Sequence, residues 1–218
     1  MKILILLFFT IFTRYNVVAQ NCNPPKDNIE GSVKPYKIFK FSNGKTLGFC
    51  GTIQKTKKEI NYTEFELYIC GADTSFLIKD ATQTCSIKQI RDTLFIEEYY
   101  SIANGKSLSI NWTKFYVTKV YWKASKIKQE DYFKTDLKKY SKVEIEKTLN
   151  EYKKTKKNND YDKNLLLGHR LFWAYVSGSK KAGEYLENFN AKYGPLDGAI
   201  SEEYSDIIAT YEYYKIKN

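Results

Sequence analysis

The sequence predicts an α+β protein: an amino-terminal antiparallel β-sheet, sandwich-like or curled, followed by a carboxy-terminal helical region of three to four antiparallel helices. Three observations carry this reading. Apolar and polar residues alternate with a period near two over residues 36–125. Turn dipeptides, Asn43-Gly44 and Asn104-Gly105, interrupt that alternation. Beyond Ser125 the period becomes helical, and Ser141-Lys142-Val143-Glu144 has the form of a capping box. Strands first and helices second is the α+β order.

The elements follow in turn. Residues 20–35 carry Pro24, Pro25 and Pro35 and read as an extended tail, because proline lacks the N–H that ladders and helices use. Residues 36–41 begin the β pattern, and residues 45–54 return from the Asn43-Gly44 turn. In residues 62–69, Thr63, Phe65, Leu67 and Ile69 share one strand face, with Glu64, Glu66 and Tyr68 on the other. Strands are expected at 75–79, 82–89, 93–103 and 112–123. The last has aromatics on both faces, which points to burial on both sides over part of its length.

The helical region is expected over residues 130–216 and shares one core with the sheet or forms its own. The first helix follows Ser141 and aligns Ile145, Leu149 and Tyr152. Residues 153–160 form a polar linker. A second helix runs from about 161 to 176, with Leu165, Leu166, Phe172, Trp173 and Val176 on a broad apolar side. Gly178 then supplies a left-handed residue, and Ser179 caps a third helix that ends at Gly194-Pro195. Asp197 is positioned to cap the last helix, in which Ile200, Tyr204, Ile207, Tyr211 and Tyr214 align.

The first nineteen residues have the form of an export signal. Lys2 gives a positive start, residues 3–12 are apolar, and Val17-Val18-Ala19 places small residues where a signal peptidase cleaves, between Ala19 and Gln20. The apolar run is too short to span a bilayer. Export predicts a secreted or periplasmic protein with no transmembrane span after the signal is removed. Asn21 before Cys22, at some distance from the apolar run, argues against a lipid anchor at Cys22.

The four cysteines then read as disulfide partners. Three connectivities are open. Cys50 and Cys70 each end an aromatic run and precede glycine, which favours Cys50–Cys70 and leaves Cys22–Cys85 to staple the tail to the sheet. The plainer alternative is buried thiols. No short Cys-x-x-Cys knuckle is present and His169 is the only histidine, so no metal or other cofactor is expected.

The formal net charge of the full sequence is +10, two charges of which, Lys2 and Arg14, leave with the signal. A basic exported chain suits an unknown acidic protein, an anionic glycan or a lipid headgroup. Export argues against nucleic acid. Oligomeric state is not encoded in any readable pattern. Lys119, Lys123, Lys126 and Lys128 occur without an acid between them, with Tyr121 and Trp122 interleaved. Tyr116, Lys119, Tyr121, Trp122 and Lys123 are therefore the candidate binding residues. The plainer reading places the aromatics in the core and the lysines on a protected sheet edge.

Catalytic motifs are missing from the sequence. His169 lies within the second helix with no nucleophile motif nearby, and reads as structural. Glu97 and Glu98 are adjacent on a strand and point to opposite faces, so they do not converge. Glu202, Glu203 and Asp206 sit where acids stabilise the start of a helix. Asn61-Tyr62-Thr63 and Asn111-Trp112-Thr113 match the glycosylation pattern at the frequency chance supplies. The sequence thus points to a non-enzymatic binding protein of the periplasm or cell surface. The alternatives are a secreted glycan or peptide hydrolase with carboxylates gathered only in the fold, and an envelope inhibitor or immunity-type protein.

Overall fold

The computed structural model describes residues 22–29, 31–55, 60–79, 84–103, 110–156, 160–194 and 198–217. The expected export signal with its cleavage point, the Asn104-Gly105 turn and the Asp197 cap lie outside the described residues. The order of elements is α+β, with eight strands followed by five helical segments among the described residues. The strands pair antiparallel wherever register is defined. The chain divides into two compact units: among the described residues, one holds those up to Gly51 with Phe65–Ile78, and the other holds Thr52–Glu64 with those from Lys79 onward.

The first unit begins with β1 (Lys37–Lys40), paired with β2 (Thr46–Lys55) from Lys37↔Phe49 to Lys40↔Thr46. The Asn43-Gly44 turn forms as expected: Gly44 has φ +77°, and the Lys45 N–H donates to Asn43 Oδ1 at 3.0 Å. β3 (Ile60–Ile69) pairs with β4 (Ser75–Lys79). Phe39, Leu47, Phe49, Phe65, Leu67 and Tyr68 are essentially buried. Glu64 has φ +45°, which interrupts the alternation of β3 at that residue. Gly48 is required by packing: a Cβ there would lie 2.2 Å from the Tyr68 ring.

One disulfide joins Cys22 to Cys70, with Cα atoms 4.2 Å apart. This corrects both expected pairs, Cys50–Cys70 and Cys22–Cys85. The reason is register. The Cys70 N–H donates to the Thr46 carbonyl at 3.2 Å, so Cys50 lies four residues further along β2, about 13 Å away. Tyr68, on the same face, covers Gly48 in that interval. A disulfide needs Cα atoms within about 7 Å. Cys50 is a buried thiol whose sulfur approaches the Lys34 carbonyl at 3.9 Å, and it packs in one cluster with Cys22, Tyr68 and Cys70. Cys85, in the second unit, is a buried thiol opposite Tyr62 and Glu98.

In the second unit β5 (Cys85–Ile90), β6 (Thr93–Ala103), β7 (Ile110–Lys123) and β8 (Lys126–Phe133) pair in sequence as an antiparallel meander. β8 extends the β region past the expected limit at residue 125. The β7–β8 turn uses Ala124 at φ +54°, and no glycine or asparagine advertises it. Phe115, Val117, Thr118 and Val120 are all buried, so β7 is covered on both faces there, as its sequence implied.

The helices are α1 (Lys142–Lys154), α2 (Tyr161–Val176), α3 (Lys180–Glu187), α4 (Phe189–Tyr193) and α5 (Gly198–Lys217). The capping box forms: the Glu144 N–H donates to Ser141 Oγ at 3.3 Å, and Glu144 Oε2 accepts the Ser141 N–H at 2.7 Å. The expected third helix is two segments, α3 and α4. Asn188 separates them, and its Nδ2 donates to the Glu184 carbonyl at 2.7 Å.

The core of this unit is aromatic. Phe115 and Phe133 from the strands pack with Phe172 and Trp173 of α2 and Tyr214 of α5. Tyr204, Ile207 and Tyr211 of α5 are buried in the same cluster, on the stripe the helical spacing marked.

Candidate anion-binding face

The site is built by strand register. Ser86, Glu97, Val117 and Tyr132 lie side by side across β5 to β8, and Lys88, Phe95, Lys119 and Glu130 form the adjacent row. All point to one face, because positions two apart along a strand share a face. A β-bulge then alters β7. Register shifts between Glu98 and Tyr99, so Glu98 pairs with Tyr116 while Tyr99 pairs with Lys114. Phe115 is the extra residue and enters the helical core. The bulge thereby brings Lys114 onto the face that carries Glu97 and Tyr99.

Glu97 is the centre of this face and is 5 % exposed. Three ammonium groups converge on its carboxylate: Lys88 at 3.1 Å, Lys114 at 3.4 Å and Lys134 at 3.4 Å. Ser86 Oγ donates to it at 3.3 Å. Burial pushes the carboxyl up, but the Lys88 hydrogen bond and the charges of Lys134, Lys88 and Lys114 together hold it below its ordinary range. One negative charge set among three positive ones leaves a local surplus of cation. The lysine side chains remain accessible, Lys88 at 50 %, Lys114 at 29 % and Lys134 at 26 %.

Aromatic rings alternate with the ammonium groups. Lys88 and Lys119 lie 5.8 and 6.0 Å from the Phe95 centroid, Lys119 lies 4.7 Å from that of Tyr132, and Lys114 lies 5.3 Å from that of Tyr99. These contacts hold long side chains in place, which lowers the entropy lost when a ligand arrives.

The five sequence-derived binding residues divide between the two faces of β7. Lys119, Tyr121 and Lys123 lie on the Glu97 face. Tyr116 and Trp122 lie on the other. Tyr116 packs against Phe133 and Tyr213, and Lys79 approaches its ring. Consecutive side chains of a strand alternate between its faces, so the five residues form no single surface. The run also gains acids from β8, since the Tyr121 hydroxyl donates to Glu130 and Thr118 donates to Asp131 at 2.7 Å. Glu97 and Glu98 diverge as expected, and Glu98 pairs with Lys79.

Lys88, Phe95, Tyr99, Lys114, Tyr132 and Lys134 were not singled out from sequence. The alternation Phe95-x-Glu97-x-Tyr99 is a readable signal, but the register that adds lysines from three other segments is not.

His169 is buried on α2, with Nε2 2.9 Å from Glu203 Oε1 of α5. Its ring meets Tyr100 edge-on at 6.0 Å. The hydrogen bond from His169 outweighs burial and lowers the Glu203 carboxyl. Helix α5 therefore uses Glu203 to bind α2, beyond any effect at its own start.

Among the described residues no helix is long and apolar enough to cross a membrane, and no group of three or more His, Cys, Asp or Glu is placed to hold a metal ion. No family model, curated protein or solved structure matches the chain.

The Glu97 centre has a pH signature. Because its carboxyl is lowered on folding, its contribution is present above its ordinary value of 4.5 and is lost as pH falls through the folded value. Glu97→Gln should cost about 1–2 kcal/mol at neutral pH, less than a fully buried pair because the lysines reach water. Urea midpoints from pH 7 to pH 3 should converge for the two proteins on the acid side. A constant gap across that range would show that the charge contributes nothing.

Proposed function

We propose that this is an exported, non-enzymatic binding protein of the periplasm or cell surface that holds an acidic partner on the Glu97 face. One observation carries the reading: three lysines share a single buried carboxylate, with further lysine–ring pairs beside it. A structural ion pair needs one cation per carboxylate; the surplus here favours an incoming anion. The Cys22–Cys70 bridge supports an oxidising compartment and occupies the sulfur that a lipid anchor would need. Glu97 and Glu203, the two carboxyls at the conspicuous polar clusters, are both lowered, whereas a hydrolase of the glycosidase type needs one raised. Neither of these two carboxyls is therefore suited to the acid role of such a hydrolase.

Polygalacturonate and poly-L-glutamate serve as probes. Replacing Lys88 and Lys119 together with glutamine should weaken binding of at least one polymer about tenfold or more at low salt, with circular dichroism unchanged. Neither residue takes part in the helical core, so the fold should survive. Equal affinity in the double variant, or no binding of either polymer by the wild type, rejects the proposal.

A further inference from the structure

On the Glu97 face, the row Lys88–Phe95–Lys119 combines one aromatic ring with two ammonium groups. These residues stand directly opposite one another on β5, β6 and β7, and the row ends at Glu130 of β8, whose carboxylate accepts the Tyr121 hydroxyl. The phenyl ring is half-buried on a sheet face, and an ammonium group lies near it from each neighbouring strand, at 5.8 and 6.0 Å. The row spans two strand spacings, about 10 Å, a disaccharide's length scale. We infer that the partner is a uronic-acid glycan, with a pyranose ring stacked on Phe95 and carboxylates of the same chain held by Lys88 and Lys119. This rests on the anion-binding reading and specifies its ligand.

The chemistry favours a carboxylated sugar over an acidic peptide. A pyranose presents a flat face of C–H groups that an aromatic ring covers, and a uronate carries its charge at the rim of that ring. An aspartate or glutamate chain offers charge on flexible arms and no such face. Each ammonium is a single point charge, suited to one carboxylate oxygen at a time; the two-pronged geometry of arginine is not used. Tyr132, with Lys119 at 4.7 Å, and Tyr99, with Lys114 at 5.3 Å, repeat the ring-and-ammonium unit on the same face. A polymer with a repeating ring and charge meets a surface with a repeating ring and charge.

The test compares polygalacturonate with poly-L-glutamate of matched charge on the full exported chain, using wild type, Phe95→Leu and Phe95→Trp. Leucine keeps apolar volume and removes the ring; tryptophan keeps a ring. The wild type should prefer polygalacturonate. Phe95→Leu should lose about tenfold on that polymer and less than about twofold on polyglutamate, and Phe95→Trp should retain the preference. Equal affinity of the wild type for both polymers, or an unchanged preference in Phe95→Leu, overturns the glycan assignment and leaves the anion-binding reading standing. Salt-insensitive or undetectable binding of both polymers overturns the two together.

Discussion

Phe115→Ala should lower the stability of the second unit by about 3–5 kcal/mol, the cost of emptying a large aromatic site in a packed core. Phe115 is 1 % exposed. Its ring lies 4.8 Å from Phe133, 5.5 Å from Tyr100 and Trp173, and 5.8 Å from Phe172 and Tyr214. Tyr100, Phe133, Phe172 and Tyr214 each have further ring contacts to lose by moving into the space, and Trp173 is tied by its Nε1 donating to the Lys138 carbonyl at 3.3 Å. Phe115 is also the extra residue of the β7 bulge, so its anchoring in the helical core fixes Lys114 on the Glu97 face. Urea unfolding should show a lowered midpoint with an unchanged slope, and Phe115→Leu should recover a large part of the loss. A change below about 1 kcal/mol for the alanine variant would mean that the core closes around the gap, against the packing described above.

The second large effect belongs to the first unit. Opening the Cys22–Cys70 bridge, by reductant or by Cys22→Ser, should cost about 4 kcal/mol, the loop-closure value for a separation of 48 residues. Cys22 ties residues that make few backbone ladder bonds of their own, and Tyr68 donates to the Cys22 carbonyl at 3.3 Å. The loss should appear as faster hydrogen exchange in β1 and β2. Peptide mapping of the oxidised protein should find Cys22 joined to Cys70, with Cys50 and Cys85 alkylated. A Cys50–Cys70 peptide would contradict the register of β2 and β3.

Most of the fold was legible because local chemistry decided it. Asn43-Gly44 specified a turn, Ser141 and Glu144 specified a helix start, and the spacing of Tyr204, Ile207 and Tyr211 specified a buried stripe. What escaped was non-local or unadvertised. β8 followed a turn made by Ala124, which carries no turn signature. The disulfide depended on how β2 and β3 slide past each other, and cysteine spacing is silent on register. The binding face was half legible. Lys119, Tyr121 and Lys123 could be placed on one side of β7 by counting in twos, and Tyr116 and Trp122 excluded in the same way. The convergence of Lys88, Lys114 and Lys134 on Glu97 required three strand pairings and a bulge, which no single segment encodes.

Surplus lysine charge around Glu97 is proposed to attract an acidic partner. The salt dependence of polyanion affinity tests it most directly, measured by titration calorimetry for the wild type and for the Lys88→Gln, Lys119→Gln double variant. Wild-type affinity should fall steeply as salt rises, and the double variant should bind more weakly with a shallower dependence. Identical salt profiles for the two proteins would place the attraction elsewhere and contradict it.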